Sequence, residues 1–250
     1  MHKSSLQFSI FSPYPNLVTE ISTKQDGSMK LQAKNYKIKN EKNRATFLRK
    51  VKIKKTSLVS ALLAQQNIVA IVTKDTTSFI PQVDGLVTTE NELYLSVTVA
   101  DCLPIFFYYP PTNIIGILHA GWKGLDKEII NNAILMLKEK FFINPSLLLA
   151  GIGPGIEECH FLVKEDVYAK FRAYKNAGKI KNNTKSLSLK SIAKLQMIEN
   201  GIKKENIEIN NECTYCLKDT YFSYRRDGGY NFSTMMALIG LKSNPDIEIN

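Results

Sequence analysis

A chain of 250 residues with 44% hydrophobic and 22% charged residues can bury a core without a metal or disulfide frame, and its composition is that of a soluble globular protein. No apolar run reaches the ~18 residues of a membrane span, the opening MHKSSLQFSIFSPYPN lacks a secretory signal's core and cleavage site, and four cysteines do not make a disulfide scaffold, so the expected setting is the reduced cytoplasm with no membrane partner. The net charge of +10 comes from lysines spread along the whole chain without aromatic interleaving, which argues for a solvated surface and against nucleic acid.

In chain order, EKNRATFLRK (41–50) has helical character and NIVAIVT (67–73) is a β-branched strand. IPQVDGLVTT (80–89) reads as a turn-bearing connection. LYLSVTVA (93–100), LPIFFYY (103–109) and IIGILHA (114–120) are strands, the last two joined by a turn at PPTN. Apolar residues at helical spacing predict a helix from Asp126 to Phe141, with Ile129, Ile130, Ala133, Ile134 and Leu137 on its buried face. SLLLAGIG adds a strand, 164–175 a short amphipathic helix, and 189–200 a further helix stopped by Gly201. KIKNNTKSLSLK (179–190) reads as a mobile surface loop. Strands are expected near 206–210, 220–225 and 231–241. With no repeat or long linker, residues 1–250 are expected to form a single domain of the α+β class.

Chemistry concentrates at Asp101 and Cys102, which close an apolar strand, and at His119 in LHAGWKGL. If Tyr109 pairs with Thr112 across the proline turn, Cys102 and His119 stand opposite each other with Cβ atoms about 5 Å apart. A thiol beside an imidazole suits a zinc-type site or an activated Cys–His nucleophile, and a buried thiol beside a satisfied histidine remains the structural alternative. Downstream, CTYC (213–216) has no second CxxC, so Cys213 and Cys216 are read as reduced packing thiols that bind no metal. His160 beside Cys159 reads equally as core or as support for a site. Arg225 and Arg226 precede an Asp-Gly-Gly turn, where one of them can fork onto phosphate or carboxylate. GIGPGIEECHF (151–161) is a glycine–proline loop able to present backbone N–H groups to an anion.

ISTKQDGS, EKNR, PQVDGLVTT, ADCLPI, LHAGWKGL, GPGIEECHF and YFSYRRDGG occur in one order over nearly the whole chain. In this the sequence resembles the YfiH/laccase-domain family, whose members are also described as purine nucleoside phosphorylase-like. The resemblance implies an α+β fold with mixed and antiparallel sheets and outer helices, shared with a cytotoxic-necrotizing-factor-like toxin domain. It also implies phosphorolysis of adenosine, inosine, guanosine and methylthioadenosine, and adenosine deamination, so the expected partners are a purine nucleoside and phosphate. The family site holds zinc, or copper, between one cysteine and two histidines. Cys102 matches the cysteine and His119 the second histidine, while Gln65 (or Gln66, one residue on) stands at the first.

Asp101 is then expected to orient a ligand or move a proton, and Lys24, Arg225 and Arg226 to hold phosphate. Lys24 replaces an arginine of the family pattern, Leu162 a glutamate, and Tyr230–Asn231 a Gly-Arg. Because glutamine is a poor zinc ligand, two further readings stay open: a diverged binding or scaffold protein without metal chemistry, and a metal-free Cys–His hydrolase. One Cys–His pair is too few ligands for a multicopper centre. Oligomeric state is not legible in the sequence.

Overall fold

The computed structural model describes residues 6–31, 38–175, 177–228 and 232–243. Tyr230 and Asn231 lie outside them. The strands are β1 (Leu17–Ile21), β2 (Leu58–Leu62), β3 (Val69–Ile71), β4 (Phe79–Pro81), β5 (Gly85–Thr88), β6 (Tyr94–Val99), β7 (Leu103–Tyr109), β8 (Ile114–Ala120), β9 (Leu149–Ile152), β10 (Leu162–Val163), β11 (Gly178–Lys181), β12 (Thr184–Leu187), β13 (Ile207–Ile209) and β14 (Met235–Leu241). The helices are α1 (Ile38–Lys50), α2 (Trp122–Asp126), α3 (Ile129–Phe141), α4 (Glu165–Lys170), α5 (Leu189–Glu199) and α6 (Tyr224–Asp227). They build an α+β fold with mixed sheets, as the sequence predicts.

A five-stranded sheet, β1-β14-β6-β2-β4, faces a six-stranded sheet, β13-β9-β7-β8-β5-β3. The central strands alternate with period two, and both of their faces are buried. On β7, Phe106 and Tyr108 point between the sheets, where they meet Leu95 and Val97 of β6 and Ala237 and Ile239 of β14. Leu103, Ile105 and Phe107 point the other way, onto Ile130, Ala133 and Ile134 of α3 and Ile192 of α5. On the far side, Met236 and Leu238 of β14 pack against Phe47 and Leu48 of α1. The result is four layers with helices outside both sheets. A small third sheet, β10-β12-β11, lies apart.

The structure corrects several expectations. The β7–β8 turn is longer than two residues: Pro110–Thr112 is a 3-10 turn and Asn113 is left-handed, at φ 55°. Tyr109 therefore pairs with Ile114 and Pro104 with His119. The slide is by two residues, so face parity is kept, and Cys102 and His119 still share a side. The expected 126–141 helix begins three residues later, as α3, because Glu128 at φ 60° separates it from the short α2, which the sequence does not predict. IPQVDGLVTT supplies strand residues on either side of its turn, in β4 and β5. The 164–175 helix is shorter, ending at Lys170.

KIKNNTKSLSLK is a hairpin and not a loop: Asn182 and Asn183, at φ 48° and 60°, close β11 onto β12. Two consecutive left-handed asparagines are the turn that matches strand twist. Residues 220–225 form no strand. Ser223 instead caps α6 by accepting from the Arg226 N–H.

Glu20 on β1 supplies a stability test. Its Oε2 is buried with no hydrogen-bond partner among the described residues. Burial pushes its carboxyl up to about 7, against the pull of Lys50 and Lys242. A raised acid contributes stability that is full below the ordinary 4.5 and is lost as pH rises through about 7. Glu20→Gln should flatten this decline and stabilise the protein above that pH by about 1–2 kcal/mol after discounting for solvent screening. Thermal melts across the same pH range check it, and parallel curves for the two proteins would exclude the assignment.

Candidate active site

Residues 100–102 cross from β6 in one sheet to β7 in the other, at the end of the sandwich where β2 and β8 finish and β5 starts. A cavity of about 700 Å³ opens there. Gln65, Asp84, Asp101, Cys102 and His119 line it, with Trp122, Phe161, Tyr224 and Phe232 as aromatic walls and Lys30 and Arg225 as cations. Three residues singled out in the sequence, Asp101, Cys102 and His119, thus share one cavity wall.

The residue that organises the site is one the sequence reading passes over. Asp84, fully buried, precedes β5. Its carboxylate accepts backbone N–H groups from Ala64 (3.3 Å), Gln65 (3.0 Å) and Gln66 (2.8 Å). Its Oδ1 also meets His119 Nδ1 at 3.1 Å, and its backbone carbonyl accepts the His119 N–H at 2.7 Å. Burial alone would raise this carboxyl, but the His119 ring and the Gln66 and Gln65 amides outweigh it and hold it below the usual carboxylate range. An ionised Asp84 holds a proton of His119 on Nδ1, so Nε2 is the nitrogen left for a metal, which binds there by displacing the second proton. The available signal was the polar Asp-Gly in PQVDGLVTT at the head of an apolar strand.

His119 itself is buried. Burial pushes its ring down, but the Cys102 sulfur, through charge and a side-chain hydrogen bond, and Asp84 together raise it to about 10. Cys102 and His119 therefore stand near each other in the wall of one cavity, as the corrected hairpin register allows. The Cys102 sulfur lies over Gly121, where an added Cβ would come within 2.6 Å of it. Any side chain at 121 would displace the thiol. A thiol and an imidazole with a carboxylate behind it form a donor set that suits zinc or another borderline-soft ion.

Gln65, at φ 55°, lines the same cavity, and its side-chain amide makes no hydrogen bond among the described residues. Gln66 also lines the cavity, but its side chain is turned onto Lys127. Of the two glutamines, Gln65 has the side chain left over for a third ligand position.

Asp101, expected to orient a ligand or move a proton, lines the cavity with its carboxylate already held by three donors. Its oxygens accept from Thr214 Oγ1 (2.6 Å), Ser223 Oγ (3.0 Å) and the Arg225 N–H (2.6 Å). They tie the 213–227 segment to the strand end. Of the expected phosphate residues, Arg225 alone lines the cavity; its Nη1 donates to the carbonyls of His160 and Leu162. Arg226 is spent on Asp227 and on the carbonyls of Thr214, Tyr215 and Tyr221. Lys24 sits 3.9 Å from Asp227 and over the Phe222 ring, away from the cavity lining. The glycine–proline loop has no N–H groups to spare for an anion at Gly153, Gly155, Ile156 and Glu157, which bond to Pro104, Glu212, Asp101 and Cys213.

Cys213 and Cys216 are free thiols, as expected, but the premise that no second ligand pair accompanies them does not hold. Cys159 and His160 stand beside them, and the four ligand atoms lie within 4.8 Å of one another. That cluster can hold a metal. The second ligand pair comes from a segment more than fifty residues earlier, which a search for a second CxxC cannot find.

Known proteins share parts of this sequence and its fold. The Bacillus subtilis purine nucleoside phosphorylase YlmD is 34% identical over 164 residues, 64% of this chain and 59% of that protein. The Rickettsia prowazekii purine nucleoside phosphorylase RP494 is 35% identical over 155 residues, 59% of this chain and 62% of that protein. The chain thus spans about three fifths of the length of these curated relatives. The crystal structure of YfiH from Bacillus licheniformis superposes with a TM-score of 0.88 at 28% identity, covering 96% of this chain and 97% of that one. YlmD from Geobacillus stearothermophilus gives a TM-score of 0.86 at 26% identity, covering 92% and 94%. Residues 23–242 match the family described as multi-copper polyphenol oxidoreductase laccase, and with the fold shared as well, the chain belongs to that laccase-like YfiH family.

Proposed function

We propose that this chain is a purine nucleoside phosphorylase working at the Cys102–His119 end of the sandwich. The observation that carries the reading is the convergence of Cys102, His119 and Asp84 on a cavity that combines aromatic walls with cations. The names of the relatives support the same class of substrate. In phosphorolysis a phosphate oxygen bonds to C1′ of the ribose as the C1′–N9 bond breaks, and the departing purine takes the electron pair and a proton. Aromatic side chains such as Phe161 and Tyr224 offer faces on which a purine stacks. Arg225 and Lys30 place positive charge on the cavity wall, where phosphate and the charge developing on it are stabilised. Asp84 holds His119 in one tautomer and orientation.

A zinc or copper ion held by Cys102 and His119, with Gln65 nearby, would supply Lewis-acid activation of an oxygen. Adenosine, inosine, guanosine and methylthioadenosine are the proposed substrates, with adenosine deamination as a side activity and the cytoplasm as the setting. Gln65 favours a second reading, a diverged binding protein, because a neutral amide donates little charge to a metal.

The test is release of free base from each nucleoside with and without phosphate. We expect phosphate-dependent release that Cys102→Ser abolishes. Gln65→His should raise zinc affinity by about 10-fold or more, since even support residues of a metal site are worth 10–100-fold, and should raise turnover with it. If neither the native protein nor Gln65→His releases base, the binding-protein reading replaces this one.

A further inference from the structure

We propose that Cys159, His160, Cys213 and Cys216 form a second, structural zinc site, separate from the Cys102–His119 site. The sulfurs of Cys159 and Cys213 are 3.9 Å apart, and those of Cys159 and Cys216 are 3.7 Å apart. His160 Nδ1 lies 3.1 Å from the Cys159 sulfur and 3.3 Å from that of Cys216. With zinc–sulfur bonds of about 2.3 Å, the edge of a tetrahedron of ligands is about 3.8 Å between sulfurs and slightly less from sulfur to nitrogen. The observed spacings are close to those edges. Three thiols and one imidazole form a Cys₃His set, which is closed to substrate and characteristic of structural zinc.

The backbone around the cluster is shaped to the same end. The Glu157 N–H points at the Cys213 sulfur at 3.4 Å. Such a donor orients the sulfur as a ligand. Tyr215 stacks on the His160 ring at 3.9 Å and 16°, which fixes the direction of Nδ1.

Topology explains why the four residues meet. β9 and β13 run parallel, with Ile152 beside Ile209, so the segments after both strands leave the sheet at the same end. Gly155 then bridges to Cys213. An ion here would staple the 153–161 loop to the 210–216 loop. Both loops reach the neighbouring cavity: the Ile156 N–H and the Thr214 hydroxyl bond to Asp101, and the His160 carbonyl holds Arg225.

The experiment measures metal per chain in the full-length protein, purified under a thiol reductant, by elemental analysis. Three forms are compared: the native protein, Cys102→Ser/His119→Ala, and Cys159→Ser/Cys216→Ser. We expect the Cys102→Ser/His119→Ala protein to retain one equivalent of zinc and the Cys159→Ser/Cys216→Ser protein to lose one equivalent relative to native. Cobalt added to the metal-free Cys102→Ser/His119→Ala protein should give a sulfur-to-cobalt charge-transfer band with the intense visible bands of a tetrahedral thiolate site. If the Cys159→Ser/Cys216→Ser protein does not fold, the cobalt spectrum alone decides. A metal-free Cys102→Ser/His119→Ala protein without those bands overturns the proposal. So does an unchanged zinc content in Cys159→Ser/Cys216→Ser, iron in place of zinc, or a mass two hydrogens short that marks a disulfide.

Discussion

Asp84→Asn is expected to destabilise the fold by about 3–5 kcal/mol, the usual cost of breaking a buried ion pair, and to weaken metal retention at Cys102 and His119 by about 10–100-fold. The carboxylate receives four donors: three backbone N–H groups from residues 64–66 and the His119 ring. An asparagine has only one oxygen, so its NH₂ must face two of those donors, and each unsatisfied buried donor costs about 1–3 kcal/mol. The Gln65 loop loses its anchor, and the His119 ring loses both its fixed tautomer and the charge behind it. Chemical denaturation gives the stability change, and competition with a chromophoric zinc chelator gives the metal affinity. A variant as stable as native that also keeps its metal would show that Asp84 does not organise the site.

Asp101→Ala carries the second large effect, again about 3–5 kcal/mol, because it strands three donors at once. Thr214, Ser223 and the Arg225 N–H all lose their acceptor. Backbone conformation separates this from simple loss of contacts. Asp101 holds φ 80°, where a Cβ is strained. Asp101→Gly should therefore be more stable than Asp101→Ala by about 1 kcal/mol, although it removes more atoms. Both variants should raise the KM for phosphate by releasing Arg225 from the cavity wall, an effect that a loss of stability alone does not produce. Equal stabilities for the Ala and Gly variants would remove the backbone part of this account.

What was legible in the sequence followed burial. β7 and β8 are apolar on both faces and could be read to the residue. Cys102 and His119 stand at their ends, so their closeness survived a wrong register: the slip was by two, and faces repeat every two residues. The Asn182–Asn183 hairpin was hidden by lysines and serines that resemble a loop. The helical turn at 224–227 was hidden because its donors answer to a carboxylate more than 120 residues away. Asp84 escaped for the same reason, since its importance lies in amides from a distant loop and not in its neighbours in the chain. The Cys159–His160 half of the second cluster becomes visible only when β9 and β13 lie side by side.

The place of β14 has a consequence for how the chain is made. This strand, residues 235–241, lies between β1 and β6 in the five-stranded sheet. During synthesis β1 emerges more than two hundred residues before the partner it requires, and until then β1 and β6 present bare edges that invite aberrant pairing. The six-stranded sheet draws all its strands from residues 69–209 and can assemble earlier on the ribosome. The nascent protein is thus half built while it waits for its keystone, a long-range closure of the kind that slows folding. During that interval a holding chaperone would find exposed strand edges to bind.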